Sequence, residues 1–386
     1  MAQRLRAGGR IYHCIIGEIR MSTYSLKLNT LTPIHIGDGD VLRQGFDYIV
    51  FQRRTYRLNV DAILEAYNER IRPGSNGMYP TPGELLKESD LNQPNFFRYS
   101  LAGMPRSGKT YSELRSFLKD VYDCPYIPGS SLKGAMRTAL AWCGWKEVNP
   151  RLDRAAIGRS RSWAGQPLER KLFGPDPNHD LLRALQVSDC TGSPKAGARL
   201  VVVNAQVLTK RSHASPVELE AVSADSVFTG SLHIDDHLFS DMAERQLGFN
   251  NRRHWIDELL PRVHRHSLAR IRHLAAWFAS ADGCESIAGF YARLADARVE
   301  SNQALLQLGW GTGWDGTTFW THLQADKNLF EQLVRDFRLH KAGPNSPPRR
   351  PGDPFPRSRR AAMRVINGVA APAAPLGWML IELTPR

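Results

Sequence analysis

Short stretches of period-two alternation recur along almost the whole chain, and segments with helical spacing separate them. In "TYSLKLNTLTPIHIG" Tyr24, Leu26 and Leu28 alternate with Ser25, Lys27 and Asn29, the pattern of a strand buried on one face. "FDYIVF" and "RTYRLN" read as a hairpin, and "VDAILEAYNERI" as a short amphipathic helix. "FFRYSLAG", "ALQVSDC", "ARLVVVNAQVLTKR", "VELEAVSADSVFTGSLHID" and the closing "LGWMLIELTP" are further strands. Helical spacing is expected in "SELRSFLKDVYD" through Leu114, Phe117, Leu118 and Val121. It is also expected over residues 254–278, with a break at Pro261, and over 284–307. Strands buried on one face need covered sheets, and strand–helix–strand order with antiparallel hairpins gives an α+β fold. Ferredoxin-like (RRM-like) cores, two of them, with inserted loops and helices, are the simplest such arrangement.

The expected organisation is an N-terminal extension (1–22), a first domain (23–210) and a second domain (211–386). The second domain contains a linker-like segment, 341–364, with six Pro and seven Lys or Arg against one Asp. Residues 72–95, rich in Pro, Gly and Asn, read as a surface excursion. Regular alternation begins just after Met21, which marks that residue as a possible start of the folded protein.

Charge narrows the class of partner. The formal net charge is +13, and of 51 basic residues 40 are Arg and 11 are Lys. Arg is the side chain suited to bidentate phosphate contacts and to stacking on bases, so a nucleic acid is the expected partner. The five cysteines (Cys14, Cys124, Cys143, Cys190, Cys284) form no C-x-x-C pair, which points to a reducing compartment and away from zinc. No apolar run is long enough to span a membrane, and a cytoplasmic location is expected. No cofactor or metal is expected.

Two segments fit phosphate chemistry. "GMPRSGKT" matches G-x-x-x-x-G-K-[ST] with Gly103, Gly108, Lys109 and Thr110. A working nucleotide loop needs a buried parallel strand before it, and the preceding "FFRYSLAG" alternates instead. "PYIPGSSLKGAMRTALAW" is more informative. Pro128 and Gly129 end an extended piece, and Ser130 or Ser131 can cap the following helix. Leu132, Met136, Ala139 and Cys143 fall on one face, Lys133 and Arg137 on another, and Gly134 leaves space beside them. Free amides with a Lys and an Arg make a phosphate cradle. An ordinary capped amphipathic helix would carry the same pattern.

"IPGSSLKGAMR" resembles the signature of the RAMP superfamily, the RRM-like subunits of CRISPR effector complexes. "LTPIHIGDGD", with His35 and Gly37, resembles the superfamily's N-terminal strand and turn, and "LQLGWGTGWDGTT" its glycine-rich loop. "FPRSRRAAMRVINGVAAPAAPLGWMLIEL" resembles the C-terminus of one subfamily, the subunit at the 3′ end of the crRNA in type III-A (Csm) effectors.

The resemblance implies a non-catalytic subunit that caps the 3′ end of the complex, holds the spacer-derived 3′ part of the crRNA and is needed for its maturation in antiviral defence. Its implied partners are crRNA, target RNA, the backbone RAMP subunits and small subunit, and host exonucleases that trim crRNA. The RNA-binding residues it implies are His35, Gly37, Gly129, Ser130, Ser131, Lys133, Gly134, Arg137, Gly309, Trp310, Gly311, Gly313, Arg357, Arg359 and Arg360. Backbone-directed contacts of this kind suit an RNA whose sequence varies. The indoles of Trp310 and Trp314 could stack on bases or pack in the core. In relatives that cut target RNA, the essential Asp lies in an I-D-x-P-V stretch; here "FDYIV" has Asp47 at the comparable place without the Pro. A metal-dependent ribonuclease acting through Asp47 is therefore the alternative reading, and a P-loop ATPase at 103–110 the second. "RVHRHSLARIRH" is expected to show a basic helix face to RNA or a neighbouring subunit. Asp235, Asp236 and His237 stay unassigned.

Overall fold

The computed structural model describes residues 21–386, apart from 107–111, 159, 193–198, 211–212, 341–348 and 367. Two sheets organise it. In the first, the strand Met21–Thr30 lies between Val227–Asp235 and Trp378–Pro385, antiparallel to both. Gln303–Gln307 extends this sheet beyond Trp378–Pro385, while Leu185–Val187 and Cys190–Gly192 pair with Val227–Asp235. In chain order, the helix Gly129–Val148 follows the first of these strands, and the helix Leu259–Ala279 follows Val227–Asp235. Strand order 4-1-3-2 with two crossover helices is the ferredoxin-like arrangement expected from the alternation. Its four strands span residues 21 to 385, so nearly the whole chain is threaded through one core.

The second sheet is made of segments inserted between those strands. Its order is Gly37–Arg43, Glu113–Phe117, His213–Val222, Leu200–Leu208, Phe97–Ala102, Arg54–Leu58, Tyr48–Phe51, with Arg359–Ile366 and Val369–Ala374 added at Leu200–Leu208. The expected boundary at 210 falls between two strands, Leu200–Leu208 and His213–Val222, that pair antiparallel.

Alternation is realised where it was strongest. Leu26 and Leu28 are buried and Lys27 is exposed. They pack with Leu132, Met136 and Ala139 of the helix Gly129–Val148 in the main core. Three expectations fail, each for a physical reason. "SELRSF" is a strand, because Leu114 and Phe117 are both buried but on opposite faces, and Val121, in the turn beyond, is 89% exposed. Residues 284–307 split into a helix, Glu285–Ala295, and the strand Gln303–Gln307, whose residues Ala304 to Gln307 are buried on both faces and so show no alternation. The helix Leu259–Ala279 is continuous through Pro261, which sits in its first turn, where no intrahelical amide bond is lost; the break lies earlier, at Glu258.

Among the described residues, no helix is long and apolar enough to cross a membrane. The described cysteines are unpaired.

Helix-on-helix packing tolerates no added bulk at Gly144, where a Cβ would run into the ring of Trp255. Gly144→Ala is expected to lower stability by about 1–3 kcal/mol in urea unfolding.

Candidate nucleic-acid interface

Three segments distant in sequence meet at one end of the first sheet through their main chains. Gly377 N–H donates to the Pro33 carbonyl (2.9 Å), Leu308 N–H to that of Gly377 (2.8 Å) and Trp310 N–H to that of His35 (2.9 Å). Such an approach requires glycine. At Gly309 (φ +82°) a side chain would collide with the His35 carbonyl, and at Gly377 (φ +85°) with that of Leu308. The H-x-G turn and the glycine-rich loop, read separately in the sequence, thus form one unit. His35 itself is 4% exposed and donates through Nδ1 to the Glu220 carbonyl (2.6 Å), and burial pushes its pKa down. It is a neutral strut of this turn, and Gly37 lies against its ring.

A cleft of about 430 Å³ opens beside this seam. Gly311, Gly313 and Trp314 line one side, Arg357, Arg359 and Arg360 another, and Arg161 also contributes. Among the described residues its lining contains four arginines and no carboxylate. Arg357 and Arg360 are exposed. Arg359 is not exposed like its neighbours. It is buried, and it bonds Asp315 at 2.9 Å and His273 at 3.1 Å. Asp315, also buried, lies 3.7 Å from Arg270. Arg270 in turn donates to the Thr312 carbonyl of the glycine-rich loop (2.9 Å). This cluster pins the loop, the helix Leu259–Ala279 and the strand Arg359–Ile366 together.

Trp310 is half-buried, with the Arg360 guanidinium 4.1 Å from its ring centroid and that of Arg115 at 5.9 Å. Trp314 packs against Phe355 and Phe330. Arg115 and Arg161 were not singled out from sequence. The signal for Arg115 lay in a strand misread as helix; that for Arg161 lay in the broken basic run "GRSRSW".

The helix start at Gly129 is built differently from the expected cradle. Neither Ser130 nor Ser131 caps it. Gly129 N–H donates to the Asp189 carboxylate (2.8 Å), and the amides of Ser131 and Leu132 are taken by the Pro128 carbonyl. Only the Ser130 amide of this turn is left over among the described residues. Arg137 is clamped by Glu169 (3.1 Å) and Asp180 (2.8 Å) and lies 4.0 Å from the Phe173 ring centroid. Among the described residues Lys133 forms no ion pair, and burial lowers its pKa. Gly134 faces open space.

The helix Leu259–Ala279 corrects another expectation. Arg262 is buried between Glu147 (2.8 Å) and Glu258 (3.1 Å), Arg270 serves Asp315, and His266 is buried beside Trp142. Arg265 and Arg272 alone of its named arginines are exposed. Asp47 accepts from the Arg43 amide (2.8 Å) and lies 3.4 Å from Arg57, a carboxylate bonding backbone next to a strand. Asp236 is held by Ser22 and Arg253. Among the described residues no cluster of His, Cys, Asp and Glu could hold a metal ion. Gly108, Lys109 and Thr110 lie outside the described residues; the strand before Gly103 pairs antiparallel with Arg54–Leu58, and the next element is the strand Glu113–Phe117, where a phosphate-binding loop would lead into a helix.

The RAMP superfamily model matches residues 27–314. A curated relative from Streptococcus thermophilus, "CRISPR system Cms protein Csm5", is 29% identical over 230 residues, covering 52% of this chain and 61% of the relative. The chain thus matches less than two thirds of that relative's length. Among solved structures, a chain of a Csm–crRNA–target RNA ternary complex of a type III-A CRISPR-Cas system superposes with a TM-score of 0.66 at 22% identity, covering 94% of this chain and 100% of that one. Csm5 of T. onnurineus superposes with a TM-score of 0.58 at 21% identity, covering 92% and 99%.

Burial lowers the pKa of His35, His264, His273 and His322, and drives His266 to about 3. Below the unfolded value near 6.5 the unfolded chain binds more protons than the folded one, so stability falls as pH falls. His266 alone is expected to remove about 2 kcal/mol between pH 6.5 and 5. Urea unfolding across that interval should show the loss, with a shallower slope in His266→Phe.

Proposed function

Because the chain belongs to the RAMP superfamily, we propose that it is the crRNA 3′-end subunit of a type III-A effector, binding RNA through the cationic cleft and cutting none itself. The observation that carries this reading is that the glycine-rich loop, tied by its main chain to the H-x-G turn, and the Arg357–Arg360 segment form one cleft whose described lining holds no carboxylate. No described carboxylate lines the cleft to repel phosphate, and Arg161, Arg357 and Arg360 supply charge there that reads no sequence. The resemblance to Csm5 chains and to a chain of a crRNA–target RNA complex supports the same assignment. In it, the spacer-derived 3′ part of crRNA is the ligand, target RNA and the other effector subunits are partners, and trimming exonucleases act on the exposed RNA end. Lys133 and the Ser130 amide add a second, smaller contact along the RNA backbone. Asp47 is engaged by Arg43 and Arg57 and, among the described residues, belongs to no cluster of His, Cys, Asp and Glu that could hold a metal ion, which favours the non-catalytic reading over a ribonuclease.

The test is to express the chain with its co-encoded subunits and sequence the RNA that copurifies. Repeat-tagged spacer RNAs with uniform 3′ ends are expected from the wild type, and fewer RNAs with ragged ends from Arg357→Glu/Arg360→Glu. With the purified chain and single-stranded RNA, that double variant should reduce the slope of log K against log salt by about 1.4, the share of two phosphate contacts. Unchanged crRNA ends together with an unchanged slope would reject the assignment.

A further inference from the structure

A second pocket lies against the cationic cleft. It measures about 270 Å³; Phe319, Leu323, Phe330, Leu333 and Phe337 give it an apolar wall, and its lining also holds Thr317, Thr318 and Glu169, the last paired with Arg137. Arg161, Trp314 and Leu339 line both spaces. Trp314 is the partition, tilted against Phe330 (ring centroids 5.8 Å) and edge-on to Phe355 (5.0 Å). One side of the indole is therefore cationic and the other aromatic and aliphatic.

The cationic side carries more positive charge than its own carboxylate balances. Asp315 answers both Arg359 at 2.9 Å and Arg270 at 3.7 Å, so one buried guanidinium charge is left over in the cleft floor. Arg359 lines the cleft, and among the described residues its Nε has no hydrogen-bond partner. Unbalanced buried charge favours an anion beside it. The aromatic side offers ring faces and edges of a kind on which any base can stack, whatever its hydrogen-bonding edge. An anion site and a ring-sized apolar site separated by one indole match the two halves of a nucleotide.

Building on the RNA-binding reading, we propose that cleft and pocket form one site for a single unstacked nucleotide of the strand, its phosphate held in the cleft and its base in the pocket. The site selects a nucleotide without selecting its sequence, and it fixes the position of the strand at this subunit. Trp314 sets the spacing between the two halves, and Arg161, which lines both, is placed to bridge them.

Ala164, exposed on the pocket wall, allows the pocket to be filled from its surface while all four cleft arginines are kept. The full-length chain would be titrated by NMR with uridine 5′-monophosphate, uridine and inorganic phosphate, and separately with single-stranded RNA. We expect the monophosphate to bind at least tenfold more tightly than either half. Ala164→Leu should weaken it in part, and Ala164→Trp should bring it to the level of phosphate, with phosphate binding unchanged and RNA binding several-fold weaker. A monophosphate that binds no better than phosphate, or that is indifferent to Ala164→Trp, would overturn the nucleotide site while RNA binding still stood. Wild-type protein that fails to bind RNA at all would instead remove the reading beneath it.

Discussion

The seam of main-chain hydrogen bonds joining Pro33, His35, Leu308, Trp310 and Gly377 is the constraint on which the rest of this structure depends. It ties the turn after the first strand, the loop after Gln303–Gln307 and the entry to the last strand into one surface. The seam needs glycine at two positions, since a Cβ at Gly309 would collide with the His35 carbonyl and one at Gly377 with that of Leu308. Gly309 and Gly377 are therefore the positions at which the interface is assembled, although neither contributes a functional group. Arg360 at the cleft is held to that backbone directly, donating to the Trp310 carbonyl (2.6 Å).

Behind the seam, Asp315 with Arg270 and Arg359 provides the second anchor. A buried carboxylate between two guanidinium groups is expensive to desolvate and adds little net stability. Its effect is geometric, because each partner comes from a different element and the three can meet in one arrangement only. The glycine-rich loop thereby gains a fixed shape that its own composition would not impose. The same cluster leaves the floor of the cleft positive, so the anchor and the electrostatics of the surface share one cause.

Much of the fold was legible because burial on one face writes itself as alternation. Leu26 and Leu28, and the face Leu132, Met136 and Ala139, are where their spacing put them. The strand Glu113–Phe117 was misread because its buried Ser116 is polar and Phe117 is buried on the opposite face, and Gln303–Gln307 because burial on both faces removes the alternation that distinguishes strand from helix. The basic residues of Leu259–Ala279 were misread for another reason. A run of Arg and His looks solvated unless its carboxylate partners are visible, and Glu147 and Asp315 lie far away in sequence. The amides at Gly129 were misjudged likewise, since Asp189 comes from a distant turn.

The sequence by itself determined the strands that are buried on one face, the α+β class and the excess of arginine, and it carries motifs that resemble the RAMP superfamily. The first three are properties of periodicity and composition, and they need no partner. The tertiary structure alone decided which charges are spent internally and which remain for a ligand. Arg137, Arg262, Arg270 and Arg359 are engaged by carboxylates, while Arg357 and Arg360 stand exposed at the cleft. The physical reason is that an ion pair depends on distance in space, and a chain folded through one core from residue 21 to 385 brings together groups that sequence proximity does not.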